Sequence, residues 1–192
     1  MSNLLATGEI TVQGRLVDAS NATLFVSIEN DGGMTKAIYK PIAGERPLWD
    51  FPDGNLASRE RAAYLIDQAL GFNHVPLTIL RDGPFGIGAV QQWIDIDESI
   101  DLERFFREDD PQLREVALFD AIVNNGDRKA GHLLPINDEV VLGVDHGVTF
   151  AVEPKLRTVL WNWRSEPLLA AERSALTRGA ELLDAPAPHA LT

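Results

Sequence analysis

Two acidic loops bracket one short apolar hairpin in this chain. Asp127-Arg-Lys-Ala-Gly-His132 precedes the runs His132 to Ile136 and Val140 to Val144, and Asp145-His-Gly147 follows them directly. A hairpin brings its two ends together, so Asp127, His132 and Asp145 are expected to converge. Two carboxylates and an imidazole are a set that binds a divalent cation. Magnesium prefers oxygen ligands and keeps several waters, so one or two carboxylates beside substrate phosphates suffice.

A second group of residues lies far upstream. Lys40 closes the strand-like segment Ala37-Ile-Tyr-Lys40, and Glu60 sits in the helical segment that follows. Phosphoryl transfer uses this pairing: the lysine neutralises phosphate charge, the helix carboxylate holds the lysine, and a metal-binding aspartate completes the clamp. Each residue alone has a plainer reading, Lys40 as an edge-strand solubiliser and Glu60 as a helix surface residue. The order strand Lys, helix Glu, hairpin, apolar helix, Asp loop, Asp-x-Gly is much more specific than any of its members.

The elements that must position these residues follow from local pattern. Gly8 to Arg15, Leu24 to Ile28 and Lys36 to Lys40 alternate as strands, with Asp18 to Thr23 as a polar turn and Asn30-Asp-Gly-Gly33 as a hairpin signal. Pro41 stops the third strand. Gly44 to Asn55 is a loop in which Trp49 and Phe51 are expected to pin the chain. Ala57 to Leu70 places Ala62, Ala63, Ile66 and Leu70 on one helical stripe, with Asn55 near its start and Gly71 at its end. Val75 to Leu80 and Ile87 to Ile94 read as a further hairpin. Leu102 to Phe106 is a short amphipathic piece, Leu113 to Val123 a buried helix, and Glu166 to Leu183 a last helix. The expected class is α+β and bilobal: a five-stranded antiparallel sheet with one helix over residues 1–93, then a smaller, mostly helical lobe with one hairpin over 94–183. Residues 184–192 are expected to be disordered.

Composition narrows the function. The chain has 192 residues, with 17 Lys plus Arg against 29 Asp plus Glu and a net charge of −12. That balance argues against nucleic acid as the partner. There are no cysteines, which removes disulfides, thiolate catalysis and cysteine zinc sites. The opening residues show no basic region ahead of an apolar run, and no stretch approaches a membrane span, so the expected location is cytoplasmic without membrane insertion.

Ser20-Asn-Ala-Thr23, Tyr39-Lys-Pro41, Ala57-Ser-Arg-Glu60, Val123-Asn-Asn-Gly-Asp-Arg-Lys-Ala-Gly-His132 and Gly143-Val-Asp-His-Gly-Val-Thr-Phe150 together resemble the atypical branch of the kinase superfamily. The branch is that of the phosphatidylinositol 3- and 4-kinase-like proteins, and the likeness is greatest to a small actinobacterial family grouped with them. It runs from Gly8 to about Trp163. The resemblance implies a kinase-like fold and ATP-dependent phosphotransfer to a protein or small-molecule hydroxyl. Ser20, Asn21, Ala22 and Thr23 would replace the glycine-rich phosphate loop, Lys40 would hold phosphates, and Glu60, or else Glu45, would pair with Lys40. Gln91, Gln92, Trp93 and Ile94 would form the hinge whose backbone meets adenine. Asp127 would act on the acceptor hydroxyl, and Asp145 would bind magnesium or manganese.

The chain departs from that pattern at two points. His132 stands where the family's second metal ligand is Asn, and an imidazole suits manganese better than magnesium. Asp145-His-Gly147 replaces Asp-Phe-Gly. Only Val148 to Leu160 is offered as a substrate loop, and Lys155, Arg157 and Arg164 are a thin basic set, so neither a peptide groove nor a lipid substrate is expected. Arg128 and Lys129 could neutralise phosphate, but surface exposure is their simpler reading, and turn or cap roles are simplest for Asn124 and Asn125. Other readings are a nucleotide-binding pseudokinase or adenylyl transferase, a metal-dependent hydrolase built on Asp127, His132, Asp145 and His146, and a binding module using Trp49 and Trp161 to Trp163, aromatics more simply taken as core.

Overall fold

Seven strands and five helices alternate along the chain in a computed structural model that describes residues 2–16, 21–97 and 99–184. Strands β1 (Glu9–Arg15), β2 (Leu24–Asn30), β3 (Gly33–Pro41), β4 (Thr78–Gly83) and β5 (Gly86–Gln92) form one antiparallel sheet in the order β1-β2-β3-β5-β4. The two-residue turn Asp31–Gly32 sets the β2–β3 register, with Asn30 opposite Gly33. The fold is thus α+β, with the expected five-stranded sheet. A short helix α1 (Ser2–Thr7) precedes it, which the sequence reading had not assigned. Its Leu5 is fully buried against Ile10, Val26, Ile28, Tyr39 and Val90 on one face of the sheet.

Antiparallel register decides what lies on the opposite face. Phe25 pairs with Ile38, Ile38 with Gln91, Gln91 with Thr78, and Lys40 with Ala89. Directly paired residues share a face. Lys40 and Gln91 therefore project on the side away from the α1 core, diagonal to each other.

Helix α2 (Leu56–Leu70) crosses between β3 and β4. Asn55 caps it by accepting from Ser58 N–H at 2.7 Å, and Gly71, at φ 75°, ends it in the left-handed conformation that glycine adopts freely. Its buried stripe is Leu56, Ala57, Glu60, Ala63, Asp67 and Leu70. Ala62 and Ile66, expected on that stripe, are half-buried instead. The rotation admits two carboxylates, both with internal partners. Asp67 accepts from the backbone N–H groups of His74 and Val75 and anchors the chain as it leaves the helix; burial, offset by these bonds, raises its carboxyl above the ordinary range.

Helices α3 (Leu102–Arg107) and α4 (Pro111–Ile122) and the hairpin of β6 (Leu133–Asn137) with β7 (Val140–Gly143) follow. Asp110 caps α4 and Pro111 occupies its first position, so the helix starts two residues before the expected Leu113. Phe105, Leu113, Val116, Leu133, Val141 and Leu160 form a second core. A third, of Ala63, Leu70, Val75, Phe119 and Val123, joins α2 to α4. Helix α5 (Ala170–Asp184) begins later than the expected Glu166. Pro167 and the capping of Leu169 N–H by the Glu172 carboxylate delay its start. It lies on α2, with Arg178 donating to Leu70 O. Asp184 is its last residue, and the rest of the tail lies outside the described residues. No described helix is long and apolar enough to cross a membrane.

Candidate functional site

Lys40 leaves β3 with its ammonium between two carboxylates. One is Glu60 Oε1 from α2; the other is Asp145 Oδ1, 2.9 Å away, just beyond β7. Glu60 is almost wholly buried, and its second oxygen accepts the His146 backbone N–H at 3.0 Å. One carboxylate thus holds both the strand lysine and the loop that carries Asp145. Burial alone would depress the lysine, but the charges of Glu60 and Asp145 overcome it and hold the ammonium above its ordinary value. Lys40 in turn keeps the Asp145 carboxyl well below the usual range, against the opposing effect of burial.

Glu45, the alternative partner, is used elsewhere. Its two oxygens accept from Leu56 N–H and Ala57 N–H, each at 2.8 Å, so it closes the N-terminus of α2. Glu60 is the residue that meets Lys40.

Asp145 adopts φ 61°, a left-handed conformation that a non-glycine residue holds only when its surroundings fix it. Its side chain is 52% exposed, and Oδ2 lies 3.5 Å from His132 Nε2. Desolvation lowers the His132 pKa, so the ring is neutral near pH 7. Its Nδ1 is buried without a hydrogen-bond partner. The expected convergence is therefore partial. His132 and Asp145 meet, whereas Asp127, partly exposed, accepts from Lys129 Nζ at 2.8 Å. Among the described residues no three His, Asp or Glu side chains come together as a ready cation cage.

Arg128, expected at the surface, is buried. It makes a fork of hydrogen bonds to Asp120 on α4 and donates to Val144 O at 2.8 Å and His146 Nε2 at 2.7 Å. That guanidinium ties the Asp127 loop, α4 and the Asp145 loop together. Burial, reinforced by the arginine charge, pushes His146 well below its ordinary pKa. The buried ring has its Nε2 bonded to Arg128 and its Nδ1 without a partner. Asn125 completes the knot, donating to Asp120 Oδ1 and accepting Asp127 N–H. Asn124 binds the carbonyls of Ala151 and Glu153. The sequence signal for Arg128 and Asp120 is an acid on an otherwise largely apolar helix with an arginine shortly after it, but nothing in the spacing shows that they pair.

A cleft of about 560 Å³ opens beside Lys40. Thr23, Ile38 and Lys40 line it from the sheet, Gln91, Gln92, Trp93 and Ile94 from the strand that follows, and His132 and Asp145 from the other side. Arg15, Leu16, Ile96 and Gly131, not singled out from sequence, line it too. Asn21 and Ala22 stand behind Thr23: Asn21 Oδ1 accepts Arg46 N–H, and Ala22 N–H donates to Gly44 O at 3.1 Å. A side chain on Gly44 would lie 2.4 Å from the Ala22 Cβ, so only glycine allows this approach. Ser20 lies outside the described residues. Within the expected hinge, Gln92 N–H donates to Leu77 O and Trp93 N–H to Lys36 O. Those two amides are already spent inside the protein. The Trp93 ring packs edge-on to Phe25 with centroids 4.8 Å apart.

The aromatics expected to act as pins divide. Phe51 is buried beneath Arg59, while Trp49 is 91% exposed with the Lys155 ammonium over its ring. Trp161 is 47% exposed, whereas Trp163 packs against the second core as expected.

No family model matches the chain. It is 42% identical over 223 residues to Protein Rv2133c of Mycobacterium tuberculosis (strain ATCC 25618 / H37Rv), an alignment that takes in 98% of this chain and 80% of that protein.

Proposed function

The chain belongs to the family of Mycobacterium tuberculosis Protein Rv2133c, and we propose that it is an ATP-dependent phosphotransferase of atypical, phosphatidylinositol 3-/4-kinase-like type and kinase-like fold. The observation that carries this reading is a single ammonium, Lys40, shared by Glu60 and Asp145 at the edge of a cleft of about 560 Å³. A fixed positive charge on a strand, braced by a buried helix carboxylate and facing an open aspartate, suits the binding of a polyphosphate beside a cation.

The residues then divide the work. Lys40 holds phosphate oxygens, and Glu60 keeps its ammonium in place. Thr23 borders the phosphates with its hydroxyl and backbone. Asp145 and His132 are the residues that would hold magnesium or manganese. The half-open Asp145 carboxylate and the His132 Nε2 that lies 3.5 Å from it fit such a group. Bound there, the cation supplies charge neutralisation of the triphosphate. Asp127 orients an acceptor hydroxyl and takes its proton as the oxygen attacks the terminal phosphorus, with ADP as the leaving group. The acceptor is a protein or small-molecule hydroxyl.

Calorimetric titration of ATP with magnesium, with manganese and with excess chelator tests this reading. Binding should need the cation and should fall at least tenfold in Lys40→Ala, the size expected for losing one charged phosphate contact. Absence of binding under all three conditions would overturn it. Product analysis separates the transfer types, ADP reporting phosphoryl and pyrophosphate adenylyl transfer.

A further inference from the structure

The least expected group on the cleft wall is a side-chain amide. Gln91 sits on β5 with only 5% of its surface exposed, on the same sheet face as Lys40 and diagonal to it, about 8 Å away by strand geometry. On that face Phe25, Ile38 and Ala89 are apolar, and Thr78 is its directly paired polar neighbour. A leucine there would pack without the cost of burying an amide.

The orientation of that amide is fixed. Thr78 Oγ1 donates its one proton to Pro76 O at 2.8 Å, so toward Gln91 it can only accept. The group 2.8 Å away must therefore be the amide nitrogen of Gln91. This places Oε1 on the other branch. It makes no hydrogen bond among the described residues, and Gln91 lines the cleft. A nearly buried amide with two lone pairs and a second N–H still unspent is poised for a ligand. The backbone offers less here, since the Gln92 and Trp93 amides are taken by Leu77 and Lys36.

We propose that the Gln91 side chain reads the base of the bound nucleotide, its Oε1 accepting a hydrogen bond from the 6-amino group of adenine. This rests on the nucleotide reading of the cleft and adds the determinant of base selectivity. A keto oxygen at the same position meets a like-charged oxygen that cannot turn away, because Thr78 holds the other end of the amide. The cleft thereby discriminates against six-keto purines by repulsion as well as by loss of a bond.

Inosine triphosphate is the matched probe, differing from ATP in that amino-to-keto exchange and in the proton it places on N1. With magnesium present, wild-type protein should bind ATP at least about tenfold more tightly than inosine triphosphate, the size of one good hydrogen bond gained or opposed. Gln91→Leu should bring the two affinities within about threefold. Thr78→Val, which frees the amide to rotate and present its N–H, should narrow the gap by improving inosine triphosphate binding. Equal wild-type affinities, or an unchanged ratio in a folded Gln91→Leu protein, would overturn the Gln91 assignment while leaving the nucleotide reading intact. Failure of both triphosphates to bind wild-type protein would remove the nucleotide reading and this proposal with it.

Discussion

Replacing Asp120 with alanine should be among the most damaging single changes in the molecule. Its carboxylate and the Arg128 guanidinium are both 0% exposed, joined by bonds of 2.9 and 3.0 Å. Asn125 Nδ2 adds a third donor at 2.8 Å. Removing the acid leaves a guanidinium charge and an amide buried without their acceptor. Breaking a buried pair from one side costs about 3–5 kcal/mol, a large part of the roughly 5–15 kcal/mol that holds a domain folded. At about 2–4 °C per kcal/mol for a chain of this size, the melting temperature should fall by roughly 6–20 °C. Urea unfolding followed by circular dichroism gives the free energy, and a thermal scan the shift. Asp120→Leu combined with Arg128→Met removes both charges and should regain most of the loss, since a buried pair and its apolar replacement are nearly equivalent in stability. That double variant should still bind ATP poorly, because nothing then holds Val144 O and His146 in place behind Asp145. A cost below about 1 kcal/mol for Asp120→Ala, or a double variant no more stable than the single, would refute the reasoning.

Two further outcomes follow from the charges around Lys40. Glu45→Ala removes both acceptors at the start of α2 and should lower the urea midpoint by about 1–2 kcal/mol equivalent, with ATP affinity unchanged, whereas a partner of Lys40 would alter both. Asp145 carries a carboxyl depressed by Lys40, so its contribution is complete above the unfolded value near 3.9 and is lost as pH falls from there toward the lower folded value. Thermal scans of Asp145→Asn against wild type should therefore show a gap that is constant from pH 7 to 5 and closes below about pH 4; a gap that closes between pH 7 and 5 would contradict the ion pair.

The sheet was legible because its strands alternate and its turns carry glycine, asparagine and proline. Helix α2 was legible from Asn55 and Gly71. Its true buried stripe was less so, since the carboxylates Glu60 and Asp67 are drawn inward only by their partners, Lys40 and the His74–Val75 amides, which arrive from elsewhere in the chain. Helix α1 has too little pattern over six residues to be read. The same limit explains the site. Lys40, Glu60 and Asp145 were recognisable by type and order, but choosing Glu60 over Glu45 required knowing that the latter is consumed by the helix it precedes. Arg128 was misplaced for a related reason. A basic residue in a polar loop looks solvated, and only the α4 packing that buries Asp120 draws it inward.

Buried polar groups in this protein divide by how much of their hydrogen-bonding capacity the chain itself uses, and that division separates scaffold from site. Asp120 receives Arg128 and Asn125, with Thr158 Oγ1 3.3 Å from its second oxygen, and Asp67 receives two backbone amides. Such groups are satisfied, and their work is to fix the loops. Lys40 and Glu60 are satisfied by each other and by the Asp145 loop, which sets the charge of the cleft in place before any ligand arrives. Capacity is left over at Gln91 Oε1, His132 Nδ1, His146 Nδ1 and Arg59 Nε; of these residues Gln91 and His132 line the cleft, together with the half-exposed Asp145. Unspent polar capacity costs free energy in the folded state unless something else completes it. Where such capacity faces the cleft, with Gln91 on one side and the half-open Asp145 carboxylate on the other beside a lysine held charged, it suits a polar, anionic ligand with a hydrogen-bonding base.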